Sequence, residues 1–193
     1  EARGEEVSRE RFIELYTKYI QRDGSKELLD WITSSSFFTD PASTRFHGAY
    51  EGGLCTHSVL VWEELVRLLK AYPEIKVTAE SAAIVSLLHD LCKVGCYQQE
   101  LRNTKVNGVW VQKPVYVFKE DFCFGGHGSK SVYLVQKHMA LTDSEAVAIN
   151  CHMSSWDRLP SDNSVGAAFE QHPLAWLLHV ADESATYIRE ANI

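Results

Sequence analysis

The chain has 193 residues, 45% of them hydrophobic and 23% charged, with 26 carboxylates against 19 Lys and Arg and a formal net charge of −7. A chain of this size and apolar content can bury enough surface to fold without a disulfide or metal scaffold, and it is not disordered. Its acidity argues against a general nucleic-acid coat, and its apolar stretches fall short of the roughly 20 residues that span a bilayer.

No basic-then-apolar leader opens the sequence, so nothing points to export. Five cysteines in no repeating CxxC pattern fit a reducing compartment, and we expect a cytoplasmic protein. The eight histidines are what composition leaves unexplained.

In chain order, Phe12, Leu15, Tyr16, Tyr19 and Ile20 recur at helical spacing and predict a helix from about Ser8 to Gln21. Asp23-Gly24-Ser25 breaks it, and Ser25 is placed to cap a second helix through Leu28, Leu29, Trp31 and Ile32. A polar stretch from Thr33 to Tyr50 leads to Gly52-Gly53 and a helix from Leu54 to about Ala71, ended by Pro73. Thr78 is expected to cap a helix from Ala79 to Cys92, with Gly95 at a left-handed C-terminal cap.

The period then changes. Residues 101–118 are rich in β-branched and aromatic side chains, with Asn107-Gly108 in the middle, the strongest short-range signal for a β-hairpin. Beyond it we expect a helix from about His127 to Met139 and, from the capping box of Thr142 and Glu145, a helix from Ser144 to Met153. Ser154 to Ser164 reads as a loop, and Pro173 opens a final helix through Leu178, Ala181 and Ala185. The expected architecture is all-α with one inserted β-hairpin. It forms a single domain over 1–193, with N-terminal helices at about 8–32 and a core at about 46–187.

One local motif stands out: His89-Asp90 near the end of a strongly apolar helix, followed by Lys93. Neighbouring helical side chains lie about 100° apart, so both can reach one metal only at a helix end or distortion. Taken alone, the dipeptide reads sooner as a capping histidine beside a solvated carboxylate, and the wider pattern reverses that. The wider set is His57, His89, Asp90, His127, His152 and Asp182, each beside apolar helical sequence. Four imidazoles and two carboxylates are mixed N/O ligands for divalent metals, and six exceed one tetrahedral site. Two ions about 3.5–4 Å apart would use them all.

The ordered pattern H…HD…H…H…D resembles the HD superfamily of metal-dependent phosphohydrolases. The segments that carry the likeness are residues 46–58, 87–95 and 179–182 and Gly126-His127-Gly128. The first is similar to the approach to the first ligand in HD domains of bacterial 3′→5′ exoribonucleases and related small hydrolases. The resemblance implies an HD-type helical bundle, with His57, His89, Asp90 and Asp182 as core ligands. It also implies His127 and His152 as the extra ligands of two-metal members. Cys151 stands where relatives often carry a second histidine, and Gly128-Ser129-Lys130 replaces the Gly-Tyr-Pro of cyclic-di-GMP phosphodiesterases. On this reading no OB domain is expected ahead of the segment, which weighs against processive RNA decay.

On this reading the cofactors are two divalent ions, and Mn, Fe, Co, Ni, Zn and Mg all tolerate parts of the set. A hydroxide held between them would attack phosphorus. The resemblance makes Asp90 the bridging carboxylate, and Lys93, one turn past His89, is placed to touch a phosphate oxygen. Lys130, Arg102, Trp110, Tyr116 and Trp156 are candidate substrate contacts, because Arg forks onto phosphate and aromatic rings stack on bases. His179, His47 and Glu51 are candidates to orient the ligands.

The expected activity is hydrolysis of a nucleotide or small phosphate ester, without a membrane partner. A phosphodiesterase on single-stranded or cyclic oligonucleotides and a non-catalytic nucleotide-binding module are the rivals. The net charge omits any bound cations, so it says little against a phosphorylated substrate.

Overall fold

A computed structural model describes residues 2–119, 123–158 and 161–191. Helix α1 (Ala2–Tyr19) is followed by α2 (Ser25–Ser34), whose N-cap is Gly24 in the left-handed region, so Ser25 is the first helical residue and not the cap. A side chain at residue 24 would run into the His138 carbonyl, and that close approach is why glycine stands there.

Helix α3 (Gly53–Ala71) is central: it packs against α1, α4 (Ala79–Leu88) and α8 (Pro173–Ser184). It buries Leu54, Val59, Val61 and Leu65 and, among them, His57. Gly52 turns the chain into α3 in the left-handed region. A Cβ on Gly53 would strike the Gly48 carbonyl, so the loop carrying His47 lies directly on the start of α3. Every α4 residue from Ala82 to Leu88 is buried, as expected of an inner helix that is apolar all round. Thr78 caps it by accepting from the Ser81 amide.

Helix α4 ends at Leu88, four residues before the expected Cys92. His89 and Asp90 form the turn that leads into a 3₁₀ segment, Leu91–Lys93. The chain then enters the hairpin, β1 (Tyr97–Val106) and β2 (Val109–Phe118), which begins earlier than the composition change at residue 101. Asn107 and Gly108 both have positive φ, the two-residue turn that matches strand twist. The register pairs Tyr97 with Phe118, Leu101 with Pro114 and Lys105 with Trp110.

Helix α5 (His127–Gln136) packs on the 3₁₀ segment and on α6 (Asp143–Asn150). Both halves of the Thr142–Glu145 capping box are formed. A 3₁₀ turn at Ser154–Asp157 occupies part of the expected 154–164 loop, and residues 159–160 of that loop lie outside the described residues. Helix α7 (Ser164–Gln171), which the sequence pattern did not single out, packs on α8, and α8 runs on through a π-helical turn, Ala185–Arg189. The architecture is therefore all-α with one inserted hairpin. No helix among the described residues is long and apolar enough to cross a membrane.

Candidate metal centre

Three imidazoles converge on the turn after α4. His57 comes from the first turns of α3, His89 from the end of α4 and His152 from just past α6, and all three are fully buried or nearly so. In each ring the Nδ1 faces an acceptor. His57 Nδ1 lies 2.8 Å from Glu190 Oε2, His89 Nδ1 2.8 Å from the Ser86 carbonyl, and His152 Nδ1 2.7 Å from the Ile149 carbonyl. A carbonyl only accepts, so Nδ1 of His89 and His152 carries the proton, and Nε2 presents its lone pair when the ring is neutral.

Those Nε2 atoms, with that of His57, are buried without a hydrogen-bond partner, as is Asp90 Oδ1. They lie close to oxygen atoms nonetheless. His57 Nε2 is 3.0 Å from Asp182 Oδ1 and 3.6 Å from Asp90 Oδ2, His89 Nε2 is 3.4 Å from Asp90 Oδ2, and His152 Nε2 is 3.3 Å from Asp90 Oδ1. Ligand atoms of His57, His89 and Asp90 lie within 4.8 Å of one another, and so do those of His89, His152 and Asp182. Lone pairs facing carboxylate oxygens in a dry pocket are an arrangement that a divalent cation satisfies and hydrogen bonds do not. The donor set fits the ion that the sequence implies.

The helix end makes this possible. Asp90 has left helical geometry (φ −102°, ψ 17°), which lets adjacent His89 and Asp90 face one centre. Lys93 follows within the 3₁₀ turn, buried, with Nζ 2.7 Å from Asp90 Oδ2 and 2.9 Å from the Ala42 carbonyl. Burial opposes charge on Asp90, but Lys93 and His89 outweigh it and hold the carboxyl well below the usual range. Burial likewise opposes charge on Lys93, and Asp90 overturns it, so the ammonium is retained. For His57, burial acts against the imidazolium while Asp182 and Glu190 raise it to about 10. The carboxylates that draw a proton to this ring are those that would draw a cation.

The loop before α3 is fastened to the same place. Asp40 Oδ2 accepts from the Gly95 amide and from Ser36 Oγ, each at 2.7 Å. The Ala42 carbonyl accepts from the Tyr97 hydroxyl at 3.0 Å as well as from Lys93. This brings His47 alongside, its ring centroid 4.8 Å from that of His57, and burial pushes its imidazolium down to about 4.

The other expected site residues are placed as follows. His127 opens α5 with its ring 5.7 Å from Phe118, outside the groups just described. Gly128 lets that turn touch the end of α6, where a Cβ would collide with the Asn150 carbonyl. His179 Nδ1 donates to the His152 carbonyl at 2.9 Å, so it braces the backbone of a candidate ligand. Lys130 Nζ lies 3.4 Å from Cys96 Sγ. Glu51 is exposed, and the carboxylate that meets a candidate ligand ring is Glu190. Arg102, Trp110 and Trp156 are exposed and Tyr116 is half-buried.

Three contributors escaped the sequence reading: Glu190, Asp40 and the Ala42 carbonyl. Only Glu190 had a signal, its spacing of eight residues, near two helical turns, from Asp182.

Compared with known proteins, the chain matches the family model described as HD domain over residues 54–187. No curated protein and no solved structure matches it.

Proposed function

We propose, from the premise that this chain belongs to the HD-domain family, whose members are in general metal-dependent phosphohydrolases, that it hydrolyses a nucleotide or small phosphate ester. The observation that carries this reading is the convergence of three unpartnered Nε2 atoms on Asp90 and Asp182 beside a buried, charged Lys93. His57, His89, Asp90, His152 and Asp182 would hold the metal, with His127 the candidate that completes a second ion's shell. When bound, divalent cations lower the cost of deprotonating water and offset charge on phosphoryl oxygens.

The remaining work falls to the protein's own groups. Lys93 is a three-proton donor that spends two protons on Asp90 and the Ala42 carbonyl, which leaves one for a phosphoryl oxygen. Glu190, Ser86 and Ile149 fix the three rings, so that little reorganisation is needed when substrate arrives. Lys130 and the exposed side chains of the hairpin and of Trp156 are the candidate contacts to the rest of the substrate.

A second reading, hydrolysis of a phosphodiester in a single-stranded oligonucleotide, is favoured by the hairpin, which is exposed along most of both strands. Protein reconstituted with Mn²⁺ or Fe²⁺ and presented with a panel of phosphoesters separates the two. Inorganic phosphate reports a monoester substrate, and nucleoside monophosphate reports a diester. Absence of either product across the panel, with metal bound, would replace both readings with a binding module.

A further inference from the structure

The loop that follows His152 folds back on α6 through one side chain. Arg158 Nη2 donates to the Asn150 carbonyl at 3.0 Å, and Nη1 donates to Ser164 Oγ at 2.9 Å and to Asp162 Oδ2 at 3.3 Å. The Ser164 amide donates to the other Asp162 oxygen at 2.8 Å. Asn150 and Asp162 are thereby held at a fixed separation by a guanidinium that is 16% exposed. Both line a cavity of about 290 Å³, together with Phe124, Gly126, Ser129 and Arg158 itself.

The cavity sits where two segments that bear candidate ligands meet. Gly126 directly precedes His127, and Asn150, the last residue of α6, stands two residues before His152. Two residues of chain reach about 7 Å at most, a span that the sugar of one nucleotide covers. A Cβ on Gly128 would strike the Asn150 carbonyl, so the start of α5 and the end of α6 close on each other here. A phosphate among the candidate ligands has this cavity beside it, within reach of the group that the phosphate carries.

Three unlike groups meet in the lining. The Asn150 carboxamide, which has no hydrogen-bond partner among the described residues, offers a donor and an acceptor side by side. Asp162 retains acceptor capacity, because an ionised carboxylate has about four lone-pair sites. Phe124 is 38% exposed and packs on Tyr133 with ring centroids 4.9 Å apart. A carboxamide suits the edge of a nucleobase, an aromatic ring its face and a carboxylate the hydroxyls of its sugar. A second anionic group fits worse, because Asp162 already offsets Arg158 and would repel it. The volume lies near the lower end for small-molecule sites, about 300 Å³, which suits one nucleoside and not a run of several.

We propose that this cavity holds the nucleoside of a mononucleotide substrate, with the base against Phe124, its edge on the Asn150 carboxamide and the sugar hydroxyls on Asp162. Arg158 is then a positioning residue that spaces Asn150 and Asp162. The inference deepens the first reading above, naming a nucleotide in place of any small phosphate ester, and rests on that reading for the chemistry.

The test is calorimetric titration of the EDTA-treated full chain with the four nucleoside 5′-monophosphates, beside ribose 5-phosphate. We expect at least one nucleotide to bind about tenfold or more tightly than ribose 5-phosphate. Phe124→Ala should weaken that nucleotide by roughly 5- to 100-fold while leaving ribose 5-phosphate unchanged, and Phe124→Trp, which keeps a ring, should restore it. Asn150→Ala, which spares the carbonyl that Arg158 holds, should cost roughly fivefold or more. The 2′,3′-dideoxy form of the same nucleotide should bind roughly tenfold more weakly, and Asp162→Asn should shrink that difference. Circular dichroism confirms that each variant is folded. If no nucleotide exceeds ribose 5-phosphate, or the Phe124→Ala and Asn150→Ala variants bind like the parent, the proposal is overturned. Because binding is read without metal, a loaded protein that hydrolyses no phosphoester would refute the hydrolytic reading and leave the nucleoside site standing. One that hydrolyses sugar phosphates and nucleotides equally well would do the reverse.

Discussion

The hydrogen bond between Glu190 and His57 offers the most discriminating perturbation. The two groups meet at 2.8 Å, both buried, and Glu190 sets which nitrogen of His57 faces the centre. Glu190→Gln keeps an acceptor of the same shape but removes the charge. A hydrogen bond to a charged group contributes about 1.5–3 kcal/mol and a neutral one about 0.5–1.5, so the substitution should cost roughly 1–1.5 kcal/mol of metal binding. That is about a 5- to 15-fold weaker affinity. Glu190→Ala, which also frees the ring to turn, should cost about 10- to 100-fold, the range found when a partner behind a ligating histidine is lost. Competition against a chelating dye, run on Mn²⁺-loaded protein, measures both, and circular dichroism of the metal-free variants confirms that the fold survives. If the Gln and Ala variants hold metal as tightly as the parent, Glu190 does not orient a ligand and the assignment of His57 Nε2 to the metal loses its support.

Asp90 and Lys93 should separate cleanly. Asp90→Ala removes the carboxylate shared by all three rings and should abolish bound metal in elemental analysis, whereas Lys93→Met should keep metal and lower kcat by about 100-fold or more. Because His127 lies against Phe118 and outside the five-residue cluster, His127→Ala should retain at least one tightly held ion per chain; complete loss would place it at the heart of the centre. Away from the site, Glu145 is fully buried and takes hydrogen bonds from Arg22, Ser81 and the Thr142 amide. Burial raises its carboxyl, but those partners outweigh it and the net shift is downward. Its contribution to stability is therefore present above the unfolded value of 4.5 and lost as pH falls through the lower folded value. Arg22→Ala, which strands that carboxylate, should cost roughly 2–3 kcal/mol in urea denaturation at neutral pH, and the difference should shrink on acidification.

How much of this was legible beforehand depends on the distance over which each feature is decided. The Asn107-Gly108 turn, the Thr142–Glu145 capping box, the Thr78 cap and the Pro173 start are local, each a matter of a few residues' backbone preferences, and the sequence alone determined them. It also determined that the chain is mostly helical with one hairpin, and which His and Asp residues stand beside buried helical sequence. Where α4 ends was not legible, because apolar side chains continue through Leu91 and Cys92 while packing against α5 pulls the backbone into a 3₁₀ turn.

The completion of the site belongs to tertiary structure. Glu190 is 133 residues from His57, and the Ala42 carbonyl 51 from Lys93. No spacing rule connects such pairs, since only the packing of α3 on α8 and on the π-helical turn that follows brings the first together. Glu51, two residues before α3 begins, was the nearer carboxylate in sequence and stays exposed. The sequence by itself determined which residue types could ligate; burial and helix packing decided which atoms face one another, because a lone pair's direction is set by whatever holds the far side of its ring.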